Sequence, residues 1–255
     1  VEALHKLGGI PIKPILAESM QMGDENHTRQ TACDYIYDRL MLPALFELDR
    51  PKKEIMKTVR YIVDTPRFFH CYGQAAARAA LVAADGTEYS TMVTAVCGNG
   101  VEFGIKIASL PGQWFTAPAP MMKGRYTSSE FTEKDQLPWM GDSCVVECYG
   151  MGGFAAAASP IVCNLRGMTL KESIGQTKEM YRITMEKNYN FPIPNLDFDF
   201  LPVGIDIRKV LKEGVCPAIH GGMFNRVGGL IGAGMARVPM QCFEKALVAF
   251  GEKYL

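Results

Sequence analysis

The chain has 255 residues, of which 48% are apolar and 21% charged, proportions that are ordinary for a globular protein with a sizeable core. Lys plus Arg and Asp plus Glu number 27 each, so the balanced charge gives no electrostatic reason to expect nucleic acid or an anionic membrane as a partner. No apolar run approaches the roughly 18 residues that span a bilayer, and the first residues lack the apolar stretch of a signal peptide.

Eight cysteines are scattered along the chain without a C-x-x-C pair. Secreted disulfide frameworks are usually short and cysteine-dense, so reduced thiols in a cytoplasmic protein are the better interpretation. Cys144 and Cys148 would share a helix face, but a metal site needs more ligands than these two provide. The sequence therefore predicts neither a metal nor a cofactor.

The first third of the chain is predicted to be helical. A helix is expected to begin near Asp24, an acceptable N-cap, and to end or kink at Pro43. Apolar residues at helical spacing after Pro51, and again between Phe68 and Ala83, predict two more helices. We therefore expect a mainly helical subdomain over residues 1–86.

Residues 87–255 are predicted to mix strands and helices. "EYSTMVTAV", "CGNG" and "VEFGIKI" predict a hairpin, whereas "WFTAPAP" is interpreted as loop and "FPIPNLDFDFLPVG" as loop and short strand. "TLKE" predicts a capping box, and Asp206 and Pro239 are expected to begin two further helices. This order predicts an α+β fold, with a helical subdomain followed by a mixed α/β domain with glycine-rich loops, in one compact unit.

"QMGDENHTRQ", residues 21–30, is the first candidate site. On a helix from Asp24, that carboxylate would orient the imidazole of His27 for general acid–base chemistry, and Glu25 would pair with Arg29 one turn away. Arg29 could also bind a carboxylate or phosphate, so His27, Asp24 and Glu25 are candidate catalytic residues and Arg29 a candidate substrate ligand. The alternative is a capped, solvated first turn with one surface salt bridge.

Two glycine-rich segments supply further candidates. Gly152 and Gly153 could direct backbone N–H groups at an anion, although close helix packing explains them about as well. Residues 220–234 contain six glycines and are interpreted either as an anion cradle or as a tightly packed structural loop. The remaining candidate substrate-binding residues are polar side chains in or near such turns: Asp142 and Glu147 (ligands or caps), His220, Arg226, Asp206, Arg208, and Asn99 in the hairpin turn.

Six ordered blocks carry a resemblance that covers nearly the whole chain: "QMGDENHTRQTA", "CGNGVEFGIKI", "WFTAPAP", "GDSCVVECYGMGGFAAAASP", "LPVGIDIRKV" and "IGAGMARVPMQCF". Together they resemble a bacterial family that includes AllG (formerly YlbE), the oxamate carbamoyltransferase subunit of anaerobic allantoin catabolism. The resemblance implies that oxalurate and phosphate give oxamate and carbamoyl phosphate, with FdrA-type and AllH-type partner subunits and a homo-oligomer. It also implies that this chain is the C-terminal portion of a longer protein.

Such chemistry needs an oxyanion stabiliser, an anchor for the substrate carboxylate and a phosphate cradle, roles assigned as hypotheses to His27, Arg29 and the glycine segments. The family pattern has a His–Lys pair where this chain has Asn225 and Arg226, and Arg226 keeps the positive charge. The Ser-Thr-Arg-Thr-Arg motif of the better-known transcarbamoylases is absent. Two alternatives stay open: a hydrolase or lyase of another amide or carboxylate metabolite, and a non-catalytic subunit that organises partner chains.

Overall fold

The first third of the chain is helical in the computed structural model, which describes residues 1–255. The helices are α1 (Glu2–Lys6), α2 (Ile12–Gln21), α3 (Thr31–Phe46), α4 (Lys52–Val63) and α5 (His70–Val82). The predicted helices after Pro51 and Phe68 are confirmed as α4 and α5. The first two helices precede the region in which the sequence predicts one.

The predicted start of a helix near Asp24 is wrong, because α3 begins at Thr31. Residues 24–30 form an irregular connection between α2 and α3. Asp24 still caps α3, since its Oδ2 accepts hydrogen bonds from the backbone N–H groups of Ala32 at 2.8 Å and Cys33 at 3.0 Å. Asp24 is therefore a capping residue, as the sequence predicts, but it lies seven residues before the first residue of the helix that it caps.

The helix α3 continues through Pro43 to Phe46, so of the two outcomes predicted at Pro43, an end or a kink, the end is wrong. Proline removes the helical donor to the carbonyl four residues earlier, which belongs to Arg39. Arg39 is exposed, and water can satisfy that carbonyl. The Pro43 carbonyl itself still accepts from the backbone N–H of Glu47 at 3.2 Å.

Nine strands form three antiparallel sheets. They are β1 (Val93–Asn99), β2 (Glu102–Ile107), β3 (Phe115–Pro118), β4 (Lys123–Tyr126), β5 (Met140–Gly141), β6 (Thr184–Ile193), β7 (Asp199–Ile205), β8 (Ala218–Phe224) and β9 (Leu230–Arg237). The sheet orders are β3-β2-β1-β5, β4-β9-β8 and β6-β7. The predicted hairpin is confirmed as β1–β2, whereas "WFTAPAP" contains the strand β3. "FPIPNLDFDFLPVG" contains the end of β6, the connection after it and nearly all of β7, so it has more strand than predicted.

The glycine-rich segment 220–234 is a hairpin of β8 and β9, not a loop. A Cβ at Gly232 would lie 2.4 Å from the carbonyl oxygen of Arg125, and one at Gly234 would lie 2.8 Å from that of Lys123. Both carbonyls belong to β4, which pairs with β9. The glycines therefore allow β4 to approach closely, as their lack of a side chain permits.

The second part of the chain also carries helices α6 (Val145–Cys148), α7 (Pro160–Leu165), α8 (Leu170–Met180), α9 (Ile207–Glu213) and α10 (Met240–Tyr254), and a 3₁₀-helix over Gly152–Ala158. The predicted beginnings of α8, α9 and α10 are confirmed. The capping box of Thr169 and Glu172 opens α8, Asp206 caps α9, and Pro239 precedes α10. The α+β fold is thus confirmed.

A single hydrophobic cluster of 51 buried residues runs from Ala3 to Ala246. It includes Leu16 and Phe69 from the helical part and Phe103 and Phe243 from the remainder, so both parts share a core. The boundary at residue 86 stays a prediction. No helix is both long and apolar enough to cross a bilayer, and all eight cysteines are free thiols.

Candidate functional site

The connection between α2 and α3 is a buried polar segment. Asp24 and Glu25 are 0% exposed, Asn26 is 1% and His27 is 3%. Asn26 has a φ of 60°, a left-handed conformation that asparagine tolerates, and its side chain donates to the Leu16 carbonyl at 3.3 Å. The alternative of a solvated first turn is therefore wrong, and each buried polar group needs a partner.

Asp24 binds α3 and Arg29 rather than His27. Nη1 of Arg29 donates to Asp24 Oδ1 at 3.1 Å and to the Gly23 carbonyl at 2.9 Å, so the predicted side-chain pair of Glu25 and Arg29 does not form. Burial raises the pKa of Asp24 to about 6, against the opposing effects of the Cys33 N–H and the Arg29 charge. These contacts support the structure of the segment.

Glu25 holds the turn that presents His27. Its Oε1 accepts from the backbone N–H groups of His27 at 3.2 Å, Thr28, and Arg29 at 2.8 Å. Its Oε2 lies 3.1 Å from Nδ1 of His220. Burial disfavours the charged carboxylate, but the hydrogen bond with His220 and the positive charge of Arg166 outweigh that effect and lower the pKa of Glu25 to about 2.

His220 is a neutral ring between Glu25 and Arg166. Nε2 of Gln176 donates to the Gly153 carbonyl at 2.7 Å and lies 2.9 Å from His220 Nε2, so we assign the ring proton to Nδ1, facing Glu25. With that assignment, the Arg166 guanidinium beside Nδ1 acts through its charge and not as a hydrogen-bond donor to the ring. Burial, together with the charge of Arg166 at 2.6 Å from that Nδ1, lowers the pKa of His220 to about 3. Its contact with Glu25 is thus a hydrogen bond rather than an ion pair.

Both ring nitrogens of His27 have side-chain partners in or just before α6. Nδ1 lies 2.9 Å from Oε1 of Glu147, and Nε2 lies 2.8 Å from Oγ of Ser143. The ring stacks at 6.2 Å from that of His70 and meets Trp139 edge-on at 6.4 Å. The carboxylate, imidazole and hydroxyl therefore form one continuous hydrogen-bonded row.

The pKa values of His27 and Glu147 are both raised. Burial raises the pKa of Glu147. Burial would lower the pKa of His27, but the charge and hydrogen bond of Glu147 outweigh it and raise that pKa above its usual value. Both shifts favour the protonated forms, so the neutral imidazole of His27 is a stronger base than a free histidine. In its neutral form, His27 is suited to accepting a proton and returning it.

Oε1 of Glu147 is an acceptor shared by three donors. Besides His27, it accepts from the backbone N–H groups of Gly153 at 3.0 Å and His220 at 2.8 Å. The backbone N–H of Gly152 donates to the Glu25 carbonyl at 2.6 Å. The anion facing the first glycine-rich segment is thus a carboxylate of this chain, and these two N–H groups are not free to bind phosphate.

Close packing explains why glycine occupies position 152. Gly152 has a φ of +57°, and a Cβ there would lie 2.3 Å from Glu147 Oε1 and 3.0 Å from the Cβ of His27. At Gly153, a Cβ would lie 2.2 Å from the Ala218 carbonyl. Of the two interpretations offered by the sequence, close packing is the one that these contacts support.

Gly152→Ala is expected to lower the free energy of unfolding by about 2–5 kcal/mol, because the added methyl overpacks the site and strains a left-handed residue. Gly175→Ala is a matched control within α8, where nothing lies within 4 Å of the added Cβ. That control should be neutral or stabilising by up to about 1 kcal/mol. Urea denaturation measures both, and equal stability of the two variants would contradict the packing argument.

A cavity of about 280 Å³ opens beside His27. Its polar lining includes Ser143, Thr28, His70 and Arg67, and Arg67 is the only Lys or Arg side chain on its wall. The two ring nitrogens of His70 each lie 2.5 Å from a glutamine Nε2, and burial with the charge of His27 lowers the pKa of His70 to about 4. The cavity thus lies beside the imidazole of His27, which Glu147 holds, a neutral imidazole (His70) and one guanidinium (Arg67).

The sequence agrees with a known protein family over more than half of its length. The family model described as "Oxamate carbamoyltransferase subunit AllG" matches residues 1–143. This chain belongs to the AllG family.

Relatives extend the AllG-family match to almost the whole chain. It is 36% identical over 255 residues to the uncharacterised protein YahG of Escherichia coli K12, covering 99% of this chain and 54% of YahG. It is 35% identical over 247 residues to the oxamate carbamoyltransferase subunit AllG of the same organism, covering 96% of this chain and 59% of that subunit. The chain therefore spans little more than half the length of these curated relatives.

A solved structure shares the AllG-family fold described above. It is a conserved protein of unknown function from Enterococcus faecalis V583, 35% identical in sequence, with a TM-score of 0.96. The match covers 100% of this chain and 61% of the enterococcal one.

In this AllG-family chain, several predicted site residues lie apart from the cluster of His27, Glu147 and His220. Asp206 caps α9 and pairs with Arg208 at 3.0 Å. Asn99 accepts from the backbone N–H groups of two residues in the β1–β2 turn, at 2.9 and 2.8 Å. Arg226 is in the connection between β8 and β9 and donates to the Lys134 carbonyl at 3.0 Å. Their contacts are structural ones, and a role in binding substrate stays a prediction.

Asp142 lies beside the cluster without joining it. It precedes Ser143, is exposed, and lines a second cavity of about 480 Å³ together with Arg78 and Lys106. Its negative charge opposes the lowering of the pKa of His70. Its proposed role as a substrate ligand therefore stays a prediction for that neighbouring cavity.

The sequence interpretation missed Ser143, Arg166, Arg67 and His70. One signal was available for the first of these, because Ser143 and Glu147 are four residues apart, a spacing that places both side chains on one side of a helical turn. The contact from Arg166 to His220 joins residues 54 positions apart, and no local pattern marks it. Arg67 and His70 flank the start of α5, where helical spacing of apolar residues was the only pattern used.

The buried neutral His220 is expected to make this AllG-family fold acid-sensitive. Its pKa is about 3 in the folded chain and 6.5 in the unfolded one, so between these values the unfolded chain binds more protons. Stability is fully present above pH 6.5 and is lost as the pH falls, by at most about 1.4 kcal/mol per pH unit for this group. In urea denaturation between pH 4.5 and 7, the free energy of unfolding should fall less steeply with decreasing pH for His220→Gln than for the unsubstituted protein. Equal slopes for the two proteins would contradict a buried neutral His220.

Proposed function

We propose that this chain is part of a carbamoyltransferase subunit that moves a carbamoyl group between oxamate and phosphate. In one direction, oxalurate and phosphate would give oxamate and carbamoyl phosphate. Membership of the AllG family and the 35% identity to the E. coli subunit support the proposal. Because the chain spans about half of its curated relatives, the activity is proposed for the full-length protein, assembled with FdrA-type and AllH-type subunits and with further copies of itself.

The buried His27–Glu147 pair at the cavity wall is the observation that carries the proposal. Carbamoyl transfer to oxamate removes a proton from an amide nitrogen and returns one to the departing phosphate. Nδ1 of His27 is held by Glu147 at 2.9 Å, so Nε2 is the nitrogen directed at the cavity side of the ring, where Ser143 lies. The pair therefore has the orientation that the proton transfers need.

Arg67 supplies the anchor that two anionic substrates require. Oxalurate and phosphate are both anions, and a guanidinium binds carboxylate and phosphate oxygens in bidentate fashion. Arg67 is exposed and lies on the cavity wall. Arg29, the anchor proposed from sequence, is instead bonded to Asp24 and the Gly23 carbonyl. We therefore assign the anchoring role to Arg67.

Arg67→Ala is expected to raise the KM for oxalurate by about 10- to 100-fold, because the substrate loses roughly one charge-assisted hydrogen-bond pair. Arg60→Ala removes an exposed arginine of α4 outside the cavity and should leave KM unchanged. Arg29→Ala should lower the free energy of unfolding, because Arg29 bonds Asp24 and the Gly23 carbonyl, and should change KM little. Steady-state kinetics of the assembled enzyme checks all three, and an unchanged KM for Arg67→Ala would remove it from the substrate site.

The deciding experiment uses the full-length protein purified with its genomic partner subunits. Oxalurate should be consumed only when phosphate is present, with carbamoyl phosphate formed in equal amount. Consumption that does not depend on phosphate would replace the transferase with a hydrolase or lyase. No turnover in a complex shown to be assembled would contradict the substrate assignment, and turnover that survives loss of His27 would favour a subunit that only organises its partners.

A further inference from the structure

We infer that Ser143 is a covalent nucleophile that carries the carbamoyl group between donor and acceptor. The inference rests on the proposed function and adds an intermediate to it. Ser143, His27 and Glu147 are hydrogen-bonded in the order hydroxyl, imidazole, carboxylate, with 2.8 Å from Oγ to Nε2 and 2.9 Å from Nδ1 to Oε1. This order and these distances are those of nucleophile, base and orienting acid in acyl-transfer enzymes that use serine.

The surroundings of Glu147 fix the orientation of the imidazole. Oε1 is held by the N–H groups of Gly153 and His220 as well as by His27. A carboxylate with these donors accepts the proton on Nδ1, which leaves the Nε2 lone pair for the hydroxyl of Ser143. The absence of a side chain at Gly152 leaves room for this contact.

The hydroxyl of Ser143 neither caps a helix nor bonds the backbone. Ser143 precedes α6, but the N-cap of that helix is Cys144 and no side chain caps it. The only hydrogen-bond partner of Oγ is His27 Nε2. Ser143 is half-buried and lines the cavity that also contains Arg67, so the oxygen is accessible to a bound anionic substrate.

The transfer then proceeds in two balanced steps. Oγ of Ser143 forms a bond with the carbamoyl carbon of carbamoyl phosphate while its proton passes to Nε2 of His27. The bond from carbon to the phosphate oxygen breaks, and His27 gives its proton to the departing phosphate. In the second step, the amide nitrogen of oxamate attacks the carbamoyl-serine ester and loses a proton to His27, which returns it to Oγ as the ester bond breaks.

The inference is tested first on the assembled full-length enzyme with carbamoyl phosphate and no oxamate. Rapid quenching and peptide mass analysis should find one carbamoyl group on Ser143, and labelled phosphate should exchange into carbamoyl phosphate without the second substrate. Ser143→Ala should abolish the adduct and the exchange and lower transfer by about 10³-fold or more. Ser143→Cys should keep an adduct, now on sulfur, and Ser129→Ala, an exposed serine, should behave as the unsubstituted enzyme.

A fluorophosphonate probe separates the nucleophile from the choice of substrate. It should label Ser143 in the unsubstituted protein and leave His27→Ala unlabelled, whichever metabolite is the substrate. Labelling at Ser143 in an assembled enzyme without carbamoyl transfer would support the nucleophile and overturn the transferase. Transfer at an unchanged rate in Ser143→Ala would overturn the nucleophile and leave direct transfer between the two substrates.

Discussion

His27→Asn is expected to reduce carbamoyl transfer by the assembled enzyme by about 10³-fold or more, with the fold retained. The imidazole hydrogen-bonds both Glu147 and Ser143, so its loss removes the proton acceptor of either a direct or a covalent transfer. Oε1 of Glu147 would keep two backbone donors, from Gly153 and His220, which limits the cost to stability.

The matched control for that change is His5→Asn, which replaces an exposed histidine of α1. It should leave kcat and the urea midpoint unchanged. The measurement is single-turnover transfer together with urea denaturation of each variant. A His27→Asn enzyme that folds, assembles and turns over at the original rate would remove His27 from the reaction and favour a purely organising subunit.

Glu147→Gln and Glu147→Ala are expected to separate the electrostatic role of this side chain from its structural one. Glutamine keeps an acceptor for the three donors on Oε1 but loses the charge, so the pKa of His27 should fall. Since His27 must be neutral to accept a proton, the rising limb of the pH–rate profile should move to lower pH, with a smaller kcat. Glutamine also brings an N–H₂ group to the buried position of Oε2, which has no partner.

Alanine at position 147 leaves His27 Nδ1 and two backbone N–H groups unpaired in a buried site. Each unsatisfied group costs roughly 1–3 kcal/mol, so a loss of about 3 kcal/mol or more in the free energy of unfolding is expected. Glu130→Gln, at an exposed glutamate, provides the comparison for both assays. A pH–rate profile that does not shift in Glu147→Gln would contradict the electrostatic role. An unchanged free energy of unfolding in Glu147→Ala would contradict the structural role.

Signals that act over a few residues were sufficient to predict much of the fold. Thr169 and Glu172 cap each other across one turn, Asp206 caps the next residues of its own helix, and the β1–β2 hairpin closes through a short turn. The start of α3 could not be placed in this way, because Asn26 adopts a left-handed conformation and Asp24 caps the helix from outside it.

The candidate site was predictable only in part, because its partners are distant in sequence. His27 meets Glu147 across 120 positions, and Glu25 meets His220 across 195. Residue type and glycine content were enough to nominate each of these four side chains separately. Nothing in local spacing pairs them, and the helical assumption assigned the wrong carboxylate, Asp24, to His27. The pairing is a property of the tertiary fold.

The three donors on Oε1 of Glu147 also bear on how the chain folds. They come from the segment before α3, the start of the 3₁₀-helix and the middle of β8, so Oε1 has all of its donors only when all three segments have docked. Amide hydrogens of Gly153 and His220 should therefore exchange with solvent through one shared opening event rather than two independent ones. An intermediate that has not yet docked β8 would lack one donor to this buried oxygen, so docking of β8 also completes the hydrogen bonds that hold the row of Glu147, His27 and Ser143.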